Sequence, residues 1–173
     1  MYDYRQLNSE STIYQYTLLK KRSYRSLIPA YVAIVPAASV AEMLVFGPNE
    51  ALSLWWGYPA LQLMYAFLLM AMLNVSGGGR KQWRFLWSPP WIGYLPAHMA
   101  SPNRMIRLHV QLSVIGFCII AAAYPWCSLV IWLNLVLLHV YILLPRLILL
   151  FSLRHDKPAL LKINRDSTSL YEP

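Results

Sequence analysis

The chain has 173 residues, 58% of them hydrophobic and only 13% charged, with a mean hydropathy of +0.42. That balance exceeds what a soluble domain of this size needs to fill its core, so a membrane protein is the starting expectation. A net charge of +8 would point to nucleic acid in a soluble chain, but the placement of the charges is explained by membrane topology and nucleic-acid binding is not expected.

Residues 26–79 carry no charge besides Glu42 and Glu50, and residues 108–145 carry none. A span needs about 20 apolar residues, so each interval holds two helices. The expected fold is an all-α integral membrane protein with four transmembrane helices, arranged as two outer-side hairpins joined by a tryptophan-rich cytoplasmic interfacial segment.

The N-terminal tail, residues 1–26, is polar and rich in tyrosine and leads into Lys20, Lys21 and Arg22. It lacks the apolar run of a signal peptide, so the first span is expected to direct its own insertion. Alternation over residues 12–17 reads equally well as strand or as part of a helix. The four-helix membrane domain is placed at residues 27–153, with the first span at 27–46. Pro29 falls in its first turn, whereas Pro36 falls mid-helix and predicts a kink. Ala33, Ala37 and Ala41 recur every four residues and offer a close-packing face for another helix. Glu42 follows them as a candidate ion-coupling acid. A short turn at residues 47–50 leads to the second span, 51–75, which opens with the interfacial aromatics Trp55, Trp56 and Tyr58.

The connection at residues 76–104 starts with three glycines, Arg80 and Lys81, without the spacing of a phosphate-binding loop. Trp83, Trp87 and Trp91 recur every four residues. That spacing predicts a short interfacial helix over residues 80–88 with its tryptophans toward lipid, broken by Pro89 and Pro90 and followed by irregular chain. The alternative is a docking surface for a partner, built from Arg80, Lys81, Trp83, Arg84, Trp87 and Trp91.

The third span is expected at residues 105–124, with His109, Ser113 and Gly116 on one face and Gly116 as a helix-packing position. The fourth is expected at residues 126–151 and carries His139. Measured from Pro125, the two histidines should agree in height to about 3 Å, which invites a haem or metal held between them. Hydrogen bonding of each imidazole within the bundle is the competing reading. Pro145 and Arg146 predict a kink followed by a charge that reaches for the membrane surface. Cys118 and Cys127 differ too much in expected height to bridge. The C-terminal tail, residues 154–173, is mixed and polar, and too short for a domain of its own.

The 15 basic residues fall in three groups of five, in the N-terminal tail, in the central stretch from Arg80 to Arg107, and from Arg146 onward, and the outer side carries only Glu42 and Glu50. The positive-inside rule therefore places both termini and the connection in the cytoplasm of an inner or plasma membrane. Helix number and a single acid in the first span resemble the four-helix multidrug exporters, from whose compact plan the long connection departs.

No catalytic constellation is found, so an enzyme is not expected. The expected role is a small non-enzymatic polytopic subunit of a larger membrane assembly, such as a secretion, conjugation or transport complex. Its partners would be membrane lipids and other membrane-protein subunits or a second copy, and it would need no cofactor. The alternative is an oligomeric proton- or cation-coupled carrier using Glu42. A haem- or metal-binding redox subunit using His109 and His139 comes third.

Overall fold

A computed structural model of the chain describes residues 17–75, 83–87, 89–97, 99–154, 159–164 and 167–172. Four helices dominate it: α1 (Ile28–Val45), α2 (Pro48–Val75), α3 (Pro102–Ala122) and α4 (Leu129–Ser152). Each is long and apolar enough to cross a membrane, and each lies within a few residues of its expected span. The fourth starts later than expected because Tyr124–Trp126 forms a 3-10 turn. Ser128 then caps α4, its hydroxyl accepting from the Ile131 N–H at 3.4 Å.

The helices pack in the order α1, α2, α4, α3, with α2 also touching α3. Gly47, at φ +104°, turns the chain sharply between α1 and α2. Leu54, Leu61 and Leu73 of α2 meet Leu112 of α3 and Leu138 and Ile142 of α4 in the main core. Helix α1 stays at the edge, where Ser39 alone of its residues is buried. The proline in α4 is accommodated locally. Pro145 cannot donate to the carbonyl of Tyr141, and that carbonyl accepts instead from the Tyr31 hydroxyl at 3.4 Å. The two tyrosine rings stack at 4.3 Å.

The central connection departs from the expected interfacial helix. Its described part is an antiparallel hairpin of β2 (Trp83–Leu86) and β3 (Gly93–Pro96), in register from Trp83 opposite Pro96 to Leu86 opposite Gly93. The tryptophan spacing misled because a repeat of four is also twice the strand period, so it fits both conformations. Arg80, Lys81 and the rest of residues 76–82 lie outside the described residues.

The two tails also join. Strand β1 (Thr17–Ser23) pairs antiparallel with β5 (Ser167–Glu172), and β5 pairs with β4 (Leu160–Ile163), giving a sheet of order β1, β5, β4. The chain at Ala100 bridges to Leu161. A second core forms beneath this sheet, where Trp91 and Leu95 of the hairpin segment meet Met105 of α3, Leu150 and Leu153 at the end of α4, and Leu161 and Leu170 of the sheet. The C-terminal segment is therefore ordered despite being too short for a domain of its own, because its partner strand comes from the opposite end of the chain. Sheet and hairpin together cap one end of the bundle.

Candidate functional site

The chain's most unusual side chain is Arg146, which lies inside the last turns of α4. The sequence predicts that it reaches for the membrane surface, yet it is only 3% exposed. Its Nε donates to the Pro90 carbonyl at 2.9 Å and its Nη2 donates to the Ile92 carbonyl. The hairpin loop reaches down far enough to accept both bonds, so the charge has no reason to leave the bundle. Gly93 makes the approach possible. At φ +142° it holds a conformation that side chains disfavour, whereas space is not the constraint, since an added Cβ would stand 3.6 Å from Gln62 Oε1 and 3.7 Å from Arg146 Nη1.

Around the guanidinium stand groups from every helix. Tyr31 of α1, Tyr58 and Tyr65 of α2 and His109 of α3 all lie within its electrostatic range. His109 is fully buried, edge-on to Trp91 at 5.9 Å between ring centres, with Nδ1 2.9 Å from the Met105 carbonyl. A carbonyl only accepts, so Nδ1 carries the proton and the Nε2 of the neutral ring is an acceptor. That Nε2 has no hydrogen-bond partner among the described residues, and neither do the two polar atoms of Gln62, which is 8% exposed. Trp91 is held in turn by the cap, its Nε1 donating to Thr168 Oγ1 at 3.2 Å.

The second histidine belongs to a different group. His139 Nδ1 lies 2.7 Å from the Tyr65 hydroxyl, and the ring packs on Gly116, where an added Cβ would meet His139 Cε1 at 2.9 Å. Gly116 is about two turns along α3 from His109, roughly 10 Å of rise. The histidines are therefore not level, because the 3-10 turn and the extended residues before α4 offset the two arms of the hairpin. They do not converge on one ligand position. Among the described residues, no cluster of three or more His, Cys, Asp or Glu side chains is placed to hold a metal ion.

Glu42 sits at the end of the bundle away from the cap. Asn134 Nδ2 of α4 donates to Glu42 Oε2 and to Ser53 Oγ of α2, both at 2.8 Å, so three helices are joined through one amide. Ala33, Ala37 and Ala41 are exposed on α1, with no other helix among the described residues over them. Of the tryptophan set, Trp91 is fully buried, Trp83 is partly covered and stacks with Tyr94, and Trp87 is 80% exposed beside exposed Arg84. Cys118 and Cys127 are both free.

No family model, curated protein or solved structure matches the chain. Function is therefore read from its own side chains. Gln62, Gly93 and Tyr65 were not among the residues singled out by sequence. An amide in the middle of an apolar span was the available signal for Gln62, since polar groups there need partners. Nothing in the sequence gives the loop approach that brings Gly93 to Arg146.

Proposed function

We propose that this chain is a non-enzymatic polytopic subunit of a larger membrane assembly, of the secretion, conjugation or transport kind, with its capped end in the cytoplasm. The observation that carries this reading is the isolation of α1. Only 6% of its apolar window is buried within the chain, against 33% for each of the other three helices. Its small-residue face, Ala33, Ala37 and Ala41, points away from the bundle, and such a face allows close approach of a further helix in lipid. The exposed pair Arg84 and Trp87 adds a second contact region at the cap, built from residue types enriched in interface anchors. Exposed Lys20, Lys21 and Arg22 on β1 support the cytoplasmic placement of that end.

Glu42 fits this role as a tie between helices, since its carboxylate is engaged by Asn134. Isolation in a mild detergent, with quantitative identification of what accompanies the chain, tests the proposal. Recovery of membrane-protein partners in fixed stoichiometry is the expected result. A chain that purifies alone and is fully active in liposomes overturns it.

A further inference from the structure

A groove of about 240 Å³ runs between the start of α1 and the last turns of α4, with Leu27, Ile28 and Tyr31 on one side and Pro145, Ile148 and Leu149 on the other. Leu27 and Ile148 are largely exposed at its rim, so it opens sideways on the apolar surface of the bundle. Its lining is almost wholly apolar, because the tyrosines that take part in it have their hydroxyls engaged elsewhere. Tyr24, at the end nearer the cap, donates to the Asn164 carbonyl at 2.7 Å, and Tyr31, at the other end, donates to the Tyr141 carbonyl at 3.4 Å. A space so lined does not hold water well. It suits a hydrocarbon chain.

Cations stand beyond the cap end of this groove. Lys20 of β1 donates its ammonium to the Ser152 carbonyl, and the Ser152 hydroxyl is itself bonded to the carbonyl of Leu149 in the groove wall at 2.9 Å. Arg25 belongs to the 3-10 turn Arg25–Leu27, directly after Tyr24. Both side chains are exposed, so a head group at the surface meets them without entering the groove. Among the described residues Glu172 is the one carboxylate of the capped end, and it lies opposite Thr17, at the far end of β1 from Arg25. In a bilayer the adjoining ends of α1 and α4 come to head-group level, with apolar wall on one side of that level and positive charge on the other.

We propose that this groove binds one anionic phospholipid of the leaflet at the capped end. Lys20 and Arg25 hold its phosphate at the surface, and the upper part of one acyl chain lies between Leu27 and Ile148. Pro145 to Leu149 spans about 6 Å of helix rise, so the groove grips the first carbons of the chain and leaves the rest on the outside of the bundle. The guanidinium offers phosphate oxygens a paired contact and the ammonium a point charge. A net negative head is favoured over a zwitterionic one, because basic residues near the surface attract net charge. The site rests on the chain spanning a membrane and not on its being a subunit. Ile28 and Tyr31 lie well round α1 from Ala33, Ala37 and Ala41 at about 100° per residue, which leaves the small-residue face open to a partner helix.

The test is native mass spectrometry of the full chain released from nanodiscs that hold equal amounts of phosphatidylglycerol and phosphatidylcholine with the same acyl chains. One phosphatidylglycerol kept per chain, at about tenfold over phosphatidylcholine, is the expected result. Lys20→Gln combined with Arg25→Gln is expected to bring that preference close to parity. Arg104→Gln removes an exposed cation of α3 beside Trp83 and Pro96, away from the groove, and is expected to keep it. Ile148→Trp fills the groove from an exposed position, so the bundle should melt as the parent does while phosphatidylglycerol retention falls about tenfold.

The proposal is overturned if the parent keeps the two lipids equally, or if the preference survives the double substitution. It is also overturned if Arg104→Gln lowers the preference as much as the double substitution does, which would make the attraction a diffuse property of the basic cap. Retention in Ile148→Trp equal to that of the parent would remove the groove from the site and overturn it as well.

Discussion

Arg146 Nε donates to the Pro90 carbonyl at 2.9 Å, so a buried charge on α4 holds the loop of a hairpin that is far away in sequence. The second bond, from Nη2 to Ile92, uses the fixed fork of the guanidinium to grip two carbonyls of one loop. Arg146→Met is expected to lower stability by about 2–3 kcal/mol, because two carbonyls lose charged donors. Arg146→Lys should recover little of that loss, since a single ammonium cannot reproduce the fork. Thermal unfolding in detergent measures the loss. Hydrogen exchange at residues 91–93 should rise in both variants. Unchanged exchange there would remove the clamp from the account.

Gly116 gives a prediction about packing. Alanine at this position gains up to about 1 kcal/mol in helix propensity, but its Cβ would meet His139 Cε1 at 2.9 Å and Tyr65 Cε1 at 3.2 Å. The ring cannot easily yield, because Tyr65 holds it at Nδ1. Overlap is therefore expected to win, with a net loss of about 1–2 kcal/mol. In the background of His139→Ala the same substitution should be neutral or stabilising, so the double-mutant cycle should show strong coupling.

Asn134 joins α1, α2 and α4 through one side chain. Asn134→Leu is expected to cost about 0.5–2 kcal/mol, within the range of interhelical hydrogen bonds in lipid. Because the Tyr31–Tyr141 pair ties α1 to α4 nearer its other end, the loss should appear first as exposure of Ser39→Cys to a thiol reagent. Glu42→Gln keeps an acceptor and should leave that exposure and the protein's activity close to the parent. Loss of activity with an intact helix bundle would favour ion coupling by Glu42 instead.

Trp91 and Trp87 should behave as opposites despite their regular spacing. Trp91→Ala is expected to destabilise the cap by about 3–5 kcal/mol, as for other fully buried large aromatics, and Trp91→Phe by less, through loss of the bond to Thr168. Trp87→Ala removes an exposed ring and should change melting by less than about 0.5 kcal/mol. Denaturation midpoints in detergent check both.

The sequence made the four long helices legible because charge-free intervals of the right length admit few other structures in lipid. It left the cap illegible for a physical reason. Strand β1 finds its partner in β5 at the opposite terminus, and each strand alone is a short polar segment with nothing to bury against. The site was half legible. His109, His139 and Glu42 stood out as polar groups in apolar spans, and each has a buried or bonded role. Their partners, Tyr65, Asn134 and the Arg146 cluster with Gln62, depend on helix offset and on the descent of the hairpin loop, neither of which periodicity encodes. The height argument for the histidines failed on three residues of 3-10 turn.

The most direct test of the subunit reading is the native mass of the complex released by a mild detergent from wild type, Ala37→Trp and Met43→Trp. Ala37 lies on the outward small-residue face of α1, and Met43 is exposed on another. The predicted result is a stoichiometric complex larger than the 20.0 kDa chain, lost in Ala37→Trp and kept in Met43→Trp. A wild-type mass equal to the single chain, or a complex indifferent to Ala37→Trp, would contradict the claim that α1 is the subunit's docking helix.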